Sequence, residues 1–391
     1  MKRPLIVAIL ICLAVNLLGC NALPPSPVPS SDTSDTLETR AALRNTYPAI
    51  ASWLAKKDQI IASGKPYELV MSGWFTPEEA DQIRANNPDA ILLAGLTVNW
   101  VWDNSDWMSF LVTVASYGRE SSFAITEDLY LHGPDGARCA FGWASQEWAH
   151  GEIWAMDAAN PDWVELVTSF YKVVLEQPQH DGIIIDMVLE KSLCPEAMSD
   201  EEWERGTSDI MARIAALNTE NKLVVLNAGR DLSEIDAYGE FMDGYLMENF
   251  MGEQLKTTFE DGLRAAESGY TVIYAVDTDD TGQQDMNKMR LGLALSLLTD
   301  NTYFTYDLGP RDHGQAWWFP EYDVELGQPL GPYYQQGDAY LREFEKGIAV
   351  AAPHSDVTVT LNSPHTDVTS GATGTEFGIH KGDGRTLLAA N

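Results

Sequence analysis

Short apolar runs and amphipathic stretches alternate along most of the chain. Tyr67–Trp74 and Ala90–Leu96 are the first two runs, and Gly182–Val188, Lys222–Asn227, Gly244–Asn249, Tyr270–Asp277 and Thr302–Asp307 follow. Near-continuous apolarity over so few residues predicts parallel strands buried on both faces. Residues 162–176, 201–219, 257–268 and 285–298 between them carry helical periodicity. Thr76-Pro77-Glu78-Glu79 supplies a cap, a proline at the first helical position and a capping-box glutamate, and Asn87-Pro88 stops that helix. Upstream, Leu37–Ile61 predicts a helix with Trp53, Leu54 and Ile61 on its apolar stripe.

Seven strands are clear, and an eighth is expected between Ser122 and Asp157. Phe123–Thr126 and Ile153–Met156 both qualify there, with a turn signal at Gly133-Pro134-Asp135-Gly136, so the stretch predicts a third strand with an insertion. Eight strand–helix units over roughly 280 residues predict an α/β fold of the (β/α)8 TIM-barrel type. A doubly wound sheet would need a glycine fingerprint after the first strand, and Ser72-Gly73-Trp74-Phe75 is not one. Tyr334–Lys346 predicts a helix that closes a barrel domain over 41–346. The short runs of residues 347–391 predict a small antiparallel β appendage packed on the barrel.

The N-terminus changes the picture of where the chain works. Lys2 and Arg3 precede an apolar run, Leu5–Leu18, too short to span a membrane. With Leu17-Leu18-Gly19-Cys20 after it, residues 1–19 predict a signal peptide. The Gly before Cys20 resembles a lipobox, which implies lipidation of Cys20 and a bacterial envelope lipoprotein. Asn21, not Asp, favours the outer membrane if the cell is Gram-negative. The plain alternative is an ordinary cleaved signal in which Cys20 is incidental. Residues 20–40, with Pro24, Pro25, Pro27 and Pro29, predict an extended tether. The remaining Cys139 and Cys194 fall in adjacent βα loops, which meet on one barrel face. A disulfide and two separate thiols both fit an exported chain.

Composition narrows the partners. The chain has 391 residues with 58 acidic against 25 basic, a formal charge of −33. That balance argues against nucleic acid and against anionic lipid or polyanionic substrates. Hydrophobic residues at 45% supply a sizeable core and argue against extensive disorder.

Catalytic groups of a TIM barrel stand at the C-terminal ends of its strands. Here those ends carry acids, amides and aromatics: Trp74, Asn99, Trp100, Trp102, Asp186, Asn227, Glu248, Asn249, Asp277, Tyr306 and Asp307. Glycosidic cleavage needs two carboxyls of opposite roles, and sugars need aromatic faces and fixed polar groups. Asp186, at the end of Ile183-Ile184-Ile185, is the first candidate and Glu248 the second. Asp277 competes with Glu248, although its loop Asp277-Thr278-Asp279-Asp280 could be merely solvated. Asn227, Asp277, Asp307 and His313 are candidates for holding substrate hydroxyls. Trp74, Trp100, Trp317 and Trp318 are expected as ring platforms. The seven histidines show no close metal-ligand spacing, Lys288 stands where a calcium loop needs Glu, and neither a G-x-S-x-G elbow nor a Walker loop occurs. No cofactor and no metal is therefore expected.

Tyr306-Asp307-Leu308-Gly309 and the run from His313 through Trp317-Trp318-Phe319-Pro320-Glu321-Tyr322 to Pro332 resemble hypothetical glycosyl hydrolase family 15. Arg342–Gly347 and the β tail look like that family's ending, and the likeness in order runs from about Tyr47 onward. The resemblance implies a TIM-barrel glycoside hydrolase, unrelated to the glucoamylases, with a strand-four Asp at Asp186. An Asp on strand four with an acid on strand six also looks like α-galactosidase-type and polygalactosaminidase-like barrels. That likeness implies Asp186 as nucleophile and Glu248 as acid/base. A non-catalytic glycan-binding lipoprotein would keep the tryptophans without converging acids, and a structural envelope protein would have no open cleft. The sugar, the stereochemistry and the oligomeric state are left open.

Overall fold

The computed structural model describes residues 47–140, 153–229, 237–248 and 255–390. The signal, the tether and most of the Leu37–Ala49 stretch thus lie outside the described residues, as do Trp143, Trp148 and Asn249.

The first half runs β1 (Ala51–Trp53), α1 (Lys57–Ser63), β2 (Leu69–Met71), α2 (Pro77–Asn86) and β3 (Ile91–Ala94). An excursion follows: β4 (Trp100–Trp102), α3 (Ser105–Ala115) and β5 (Ile153–Ala155). α4 (Pro161–Glu176) then leads to β6 (Gly182–Ile185), and α5 (Asp200–Leu217) to β7 (Leu223–Gly229). β8 (Gly244–Met247), α6 (Leu255–Glu267), β9 (Thr271–Asp277), α7 (Met286–Ser296) and β10 (Thr302–Asp307) complete the alternation. Eight parallel strands pair in the order β1-β2-β3-β6-β7-β8-β9-β10. A parallel bridge between Ile50 and Phe304 brings the two edges together, so the sheet is a (β/α)8 barrel.

Two expectations change. The strand that opens the barrel is Ala51–Trp53, inside the stretch read as one helix from Leu37 to Ile61; the helix there is only Lys57–Ser63. The expected third strand is not a barrel strand. Ile153–Ala155 pairs antiparallel with Trp100–Trp102 in a separate ribbon, and Phe123–Thr126 has no strand structure. The two changes offset, so Asp186 still follows the fourth barrel strand and Glu248 the sixth. The capping box of α2 forms as expected: Glu79 N–H donates to Thr76 Oγ1 and the Glu79 carboxylate accepts from Thr76 N–H. Thr76→Ala should cost about 1 kcal/mol, measured as a lower urea midpoint.

The strands obey a strict parity. Leu69, Met71, Ile91, Leu93, Ile184, Val225, Leu246, Ile273, Ala275 and Tyr303 fill the barrel interior together with Ala51 and Trp53. Their neighbours Val70, Leu92, Ile183, Ile185, Val224, Leu226, Tyr245, Met247, Val272, Tyr274 and Phe304 face the helices. Side chains of a strand alternate between its two faces. The residue after each outward-facing one therefore turns inward, a rule that decides where the strand-end acids point.

Cys139 and Cys194 form a disulfide with a Cα–Cα distance of 5.8 Å. It ties the excursion to the loop that follows Asp186. The C-terminal sheet is larger than expected. Tyr334–Lys346 is not a helix but β11 (Tyr334–Gln336) and β12 (Ala339–Phe344), joined at Gly337-Asp338 with Gly337 at φ 63°. β13 (Gly347–Ala352), β14 (Val357–Asp367), β15 (Thr373–Ile379) and β16 (Asp383–Ala389) complete an antiparallel sheet ordered β11-β12-β13-β16-β14-β15. It docks on α7, where Arg290 Nε reaches buried Asp383 at 2.9 Å and Arg385 closes on the same carboxylate. At Gly384 a Cβ would come within 2.4 Å of the Arg290 carbonyl, so the close approach requires glycine.

Candidate active site

The parity rule brings five strand-end groups into the same mouth. On β6 the outward Ile185 is followed by Asp186, and on β7 the outward Leu226 by Asn227. Met247, outward on β8, precedes Glu248; Val276 precedes Asp277; Tyr306 precedes Asp307. His313 reaches the same place from the loop after β10. Trp53, inward at the end of β1, joins them.

Asn227 stands between the two principal acids. Its Nδ2 donates to Asp186 Oδ1 at 2.7 Å, and its side chain also hydrogen-bonds Glu248. Asn227 Oδ1 accepts from Gly229 N–H, which fixes the direction of the amide. Asp186 is further held by its own backbone: Trp100 Nε1 donates to its carbonyl at 2.9 Å. Met187 takes a left-handed φ of 54° just past it, and the Met187 N–H bonds the Asp186 carboxyl. A bulky residue in that region is strained, and here the turn aims an N–H at the acid.

Glu248 Oε1 accepts from Trp53 Nε1 and from His313 Nε2, the latter at 3.2 Å. His313 Nδ1 meets Asp307 Oδ2 at 2.9 Å. Asp277 lies in register with Asp307, with Lys288 Nζ 3.5 Å from its Oδ1.

The surroundings drive the two acids apart. Burial, then the charge of Glu248, pushes the Asp186 carboxyl up to about 7. Burial also works to raise Glu248, but the hydrogen bond and charge of His313, with Asn227 and Trp53, outweigh it and hold Glu248 below the ordinary range. Burial raises Asp277 and Asp307 as well. Below about pH 7 the pair thus favours one proton on Asp186 and a charge on Glu248. This order is the reverse of the roles implied by the likeness to α-galactosidase-type barrels.

The expected platforms are mostly elsewhere. Trp100 is fully buried and supports Asp186 from behind. Trp74 packs edge-on to His180 at 4.7 Å and beside Phe110, in the layer between strands and helices. Trp317 and Trp318 lie in that same outer layer. Trp318 sits against Tyr67 and Tyr322 and donates to Asp323, and the Trp317 carbonyl accepts from Tyr67. Aromatic rings on the inner side come instead from Trp102 and Trp107, 5.5 Å apart and packed on the interior cluster. Trp53 is not among the expected site residues, because its three-residue strand lies inside a stretch whose spacing also suits a helix.

A barrel whose mouth gathers paired carboxyls of split proton affinity, an amide between them and aromatic walls is built as glycoside hydrolases are. The chain belongs to hypothetical glycosyl hydrolase family 15, whose model matches residues 102–348, more than half of the chain. That span is shorter than the sequence likeness suggested and excludes β1 to β3. No curated protein matches the chain in sequence. Several solved structures are similar to it. An α-amylase from Malbranchea cinnamomea aligns with a TM-score of 0.50 at 12% identity, over 85% of this chain and 88% of that one. A maltogenic α-amylase from Thermotoga neapolitana gives 0.48 at 9%, over 88% and 99%. A GH36 α-galactosidase from Geobacillus stearothermophilus, in complex with stachyose, gives 0.48 at 13%, over 89% and 56%. The likeness to the Malbranchea cinnamomea α-amylase, at 12% identity, speaks for the fold alone.

Proposed function

We propose that this chain hydrolyses a glycosidic bond of a polysaccharide or oligosaccharide, with Glu248 as nucleophile and Asp186 as proton donor. The observation that carries this reading is the meeting at the barrel mouth of Asp186, held by Asn227, and Glu248, held by Trp53 and His313, in surroundings that shift their proton affinities in opposite directions. A separation of about 5–5.5 Å between the two carboxyls would make the enzyme retaining, and we propose that class. Asp186 delivers its proton to the glycosidic oxygen as the bond to the anomeric carbon breaks. Ionised Glu248 attacks that carbon from the other side. Asp186, now ionised, takes a proton from water, and the resulting hydroxide releases the sugar from Glu248. Asp277 is suited to accept a hydroxyl, and Trp102 and Trp107 to flank the ring.

The acidic balance supports a neutral or cationic glycan. The N-terminal pattern of residues 1–20 supports an exported lipoprotein tethered at Cys20, working at the bacterial envelope. A panel of polysaccharides screened for new reducing ends tests the activity, with Asp186→Asn alongside. Release by wild type and its loss in the variant is the expected result. Glycan binding that persists in both proteins with no release by either would overturn it in favour of a binding protein.

A further inference from the structure

Asp307 is the least explained acid in the mouth. It is 3% exposed, its carboxyl is held by the Gly309 backbone, and no side chain among the described residues reaches its buried Oδ1. Burying a carboxylate is costly, and a fold keeps such a group only where its contacts matter. Its other oxygen makes one side-chain contact, to His313 Nδ1 at 2.9 Å. The opposite ring nitrogen of His313 faces Glu248 Oε1 at 3.2 Å. Both nitrogens of the ring are thus occupied by carboxylates, from β10 on one side and from the end of β8 on the other.

The loop carrying His313 is pinned. Leu308 N–H donates to Gln315 Oε1, Gly314 N–H to Asp312 Oδ1, and Lys56 N–H to the Gly314 carbonyl. A Cβ at Gly314 would lie 2.4 Å from Asp312 Oδ1, so the turn is close-fitting. Trp53 covers one side of the ring, with centroids 5.9 Å apart. The charged groups around His313 are Asp307, Glu248 and, through space, Asp186. Lys56 and Asp312 stand beside the next residue, and Asp277 beside Asp307.

We infer that Asp307 is a positioning residue that acts through His313: it fixes the ring so that Nε2 points at Glu248, and the ring orders the proton between Glu248 and Asp186. The inference rests on the pair's role proposed above. Burial opposes charge on His313, but Asp307 and Glu248 outweigh it and hold the imidazole well above its ordinary value. A charged ring favours ionised Glu248. Without Asp307 the ring sheds its proton within the working pH range, Glu248 binds protons more tightly, and the proton leaves Asp186 for the wrong partner.

Two measurements test this on the full chain. The first follows the ring nitrogens of His313 by 15N NMR without substrate. In wild type the ring titrates well above its ordinary value, and in Asp307→Asn its titration moves down toward that value. A wild-type ring that titrates near 6.5 overturns the inference. The second is the pH profile of kcat/KM. The acid limb, set by Glu248, should move up by about one unit or more in both Asp307→Asn and His313→Gln. The double variant should be no worse than His313→Gln, and Asp307→Glu should restore much of the limb. Circular dichroism melts identify any variant that fails to fold, and the NMR and Asp307→Glu arms then decide. Loss of kcat with unmoved limbs would mean a purely structural contact and overturn the inference. If wild type cleaves no glycan while the NMR follows expectation, the hydrolase reading falls and the Asp307–His313 arm stands.

Discussion

Glu248→Ala loses turnover by on the order of 10^4-fold or more, and azide restores part of it by forming a glycosyl azide of inverted configuration. Asp186→Asn behaves differently. It loses about 10^3-fold on substrates with poor leaving groups and much less on an activated aryl glycoside. Azide added to Asp186→Asn yields a glycosyl azide of retained configuration, because Glu248 still forms the covalent intermediate. The reasoning is electrostatic. The donor must hold a proton and the nucleophile must not, and the surroundings of the two carboxyls separate them in that sense. Product configuration, read by proton NMR, decides the assignment. If azide rescues Asp186→Ala to the inverted product, the roles are exchanged and the likeness to α-galactosidase-type barrels gives the correct order.

Much of this site was legible in the sequence because two periodicities coincide. Strands buried on both faces announce themselves as unbroken apolar runs, and the first polar residue after such a run stands at the barrel mouth. Asp186, Asn227, Glu248, Asp277 and Asp307 were all found in this way. What failed was the short and the unpaired. β1 has three residues, all buried, and its tryptophan lies at a spacing that also suits a helix stripe. Reading Ala51–Trp53 as helix removed Trp53 from the list of donors to Glu248. β12 buries Ala339 and Leu341 on one face and Phe344 on the other, so it shows no clean alternation, and the Gly337-Asp338 turn before it is its strand signal.

The tryptophans show where parity ends. Trp74 lies past the end of β2, beyond the reach of strand parity, and its outer position comes from packing against His180 and Phe110. Trp317 and Trp318 belong to a loop with no period. Their partners Tyr67 and Tyr322 come from a distant segment and a 3-10 turn, which no local pattern reveals. The order of proton affinities is hidden for the same reason. It depends on His313, Trp53 and Asn227 meeting one carboxylate from three separate strands' ends, a property of closure rather than of any segment.

Asp186→Asn should make the protein more stable above pH 7 while it disables catalysis. Burial holds this carboxyl at about 7 in the folded chain, against an ordinary value of 3.8. The folded state therefore keeps its proton more tightly than the unfolded state does. Stability from this group is complete below pH 4 and is lost as pH rises through 7, where the penalty reaches on the order of 4 kcal/mol. An asparagine fits the same space, still meets Asn227 and Trp100, and does not ionise. Melting temperatures of wild type and variant should lie close together at about pH 4, diverge as pH rises to about 7 and run parallel above it, with the variant higher. Replacing Leu226, an outward-facing core residue nearby, by Ala gives a pH-independent loss and serves as the control. A constant difference between wild type and Asp186→Asn across pH would show that Asp186 is not held protonated, and the assignment of the proton donor would fall with it. The expected divergence means that the fold tolerates a destabilising acid at the end of β6, a cost that packing alone does not explain and that proton transfer does.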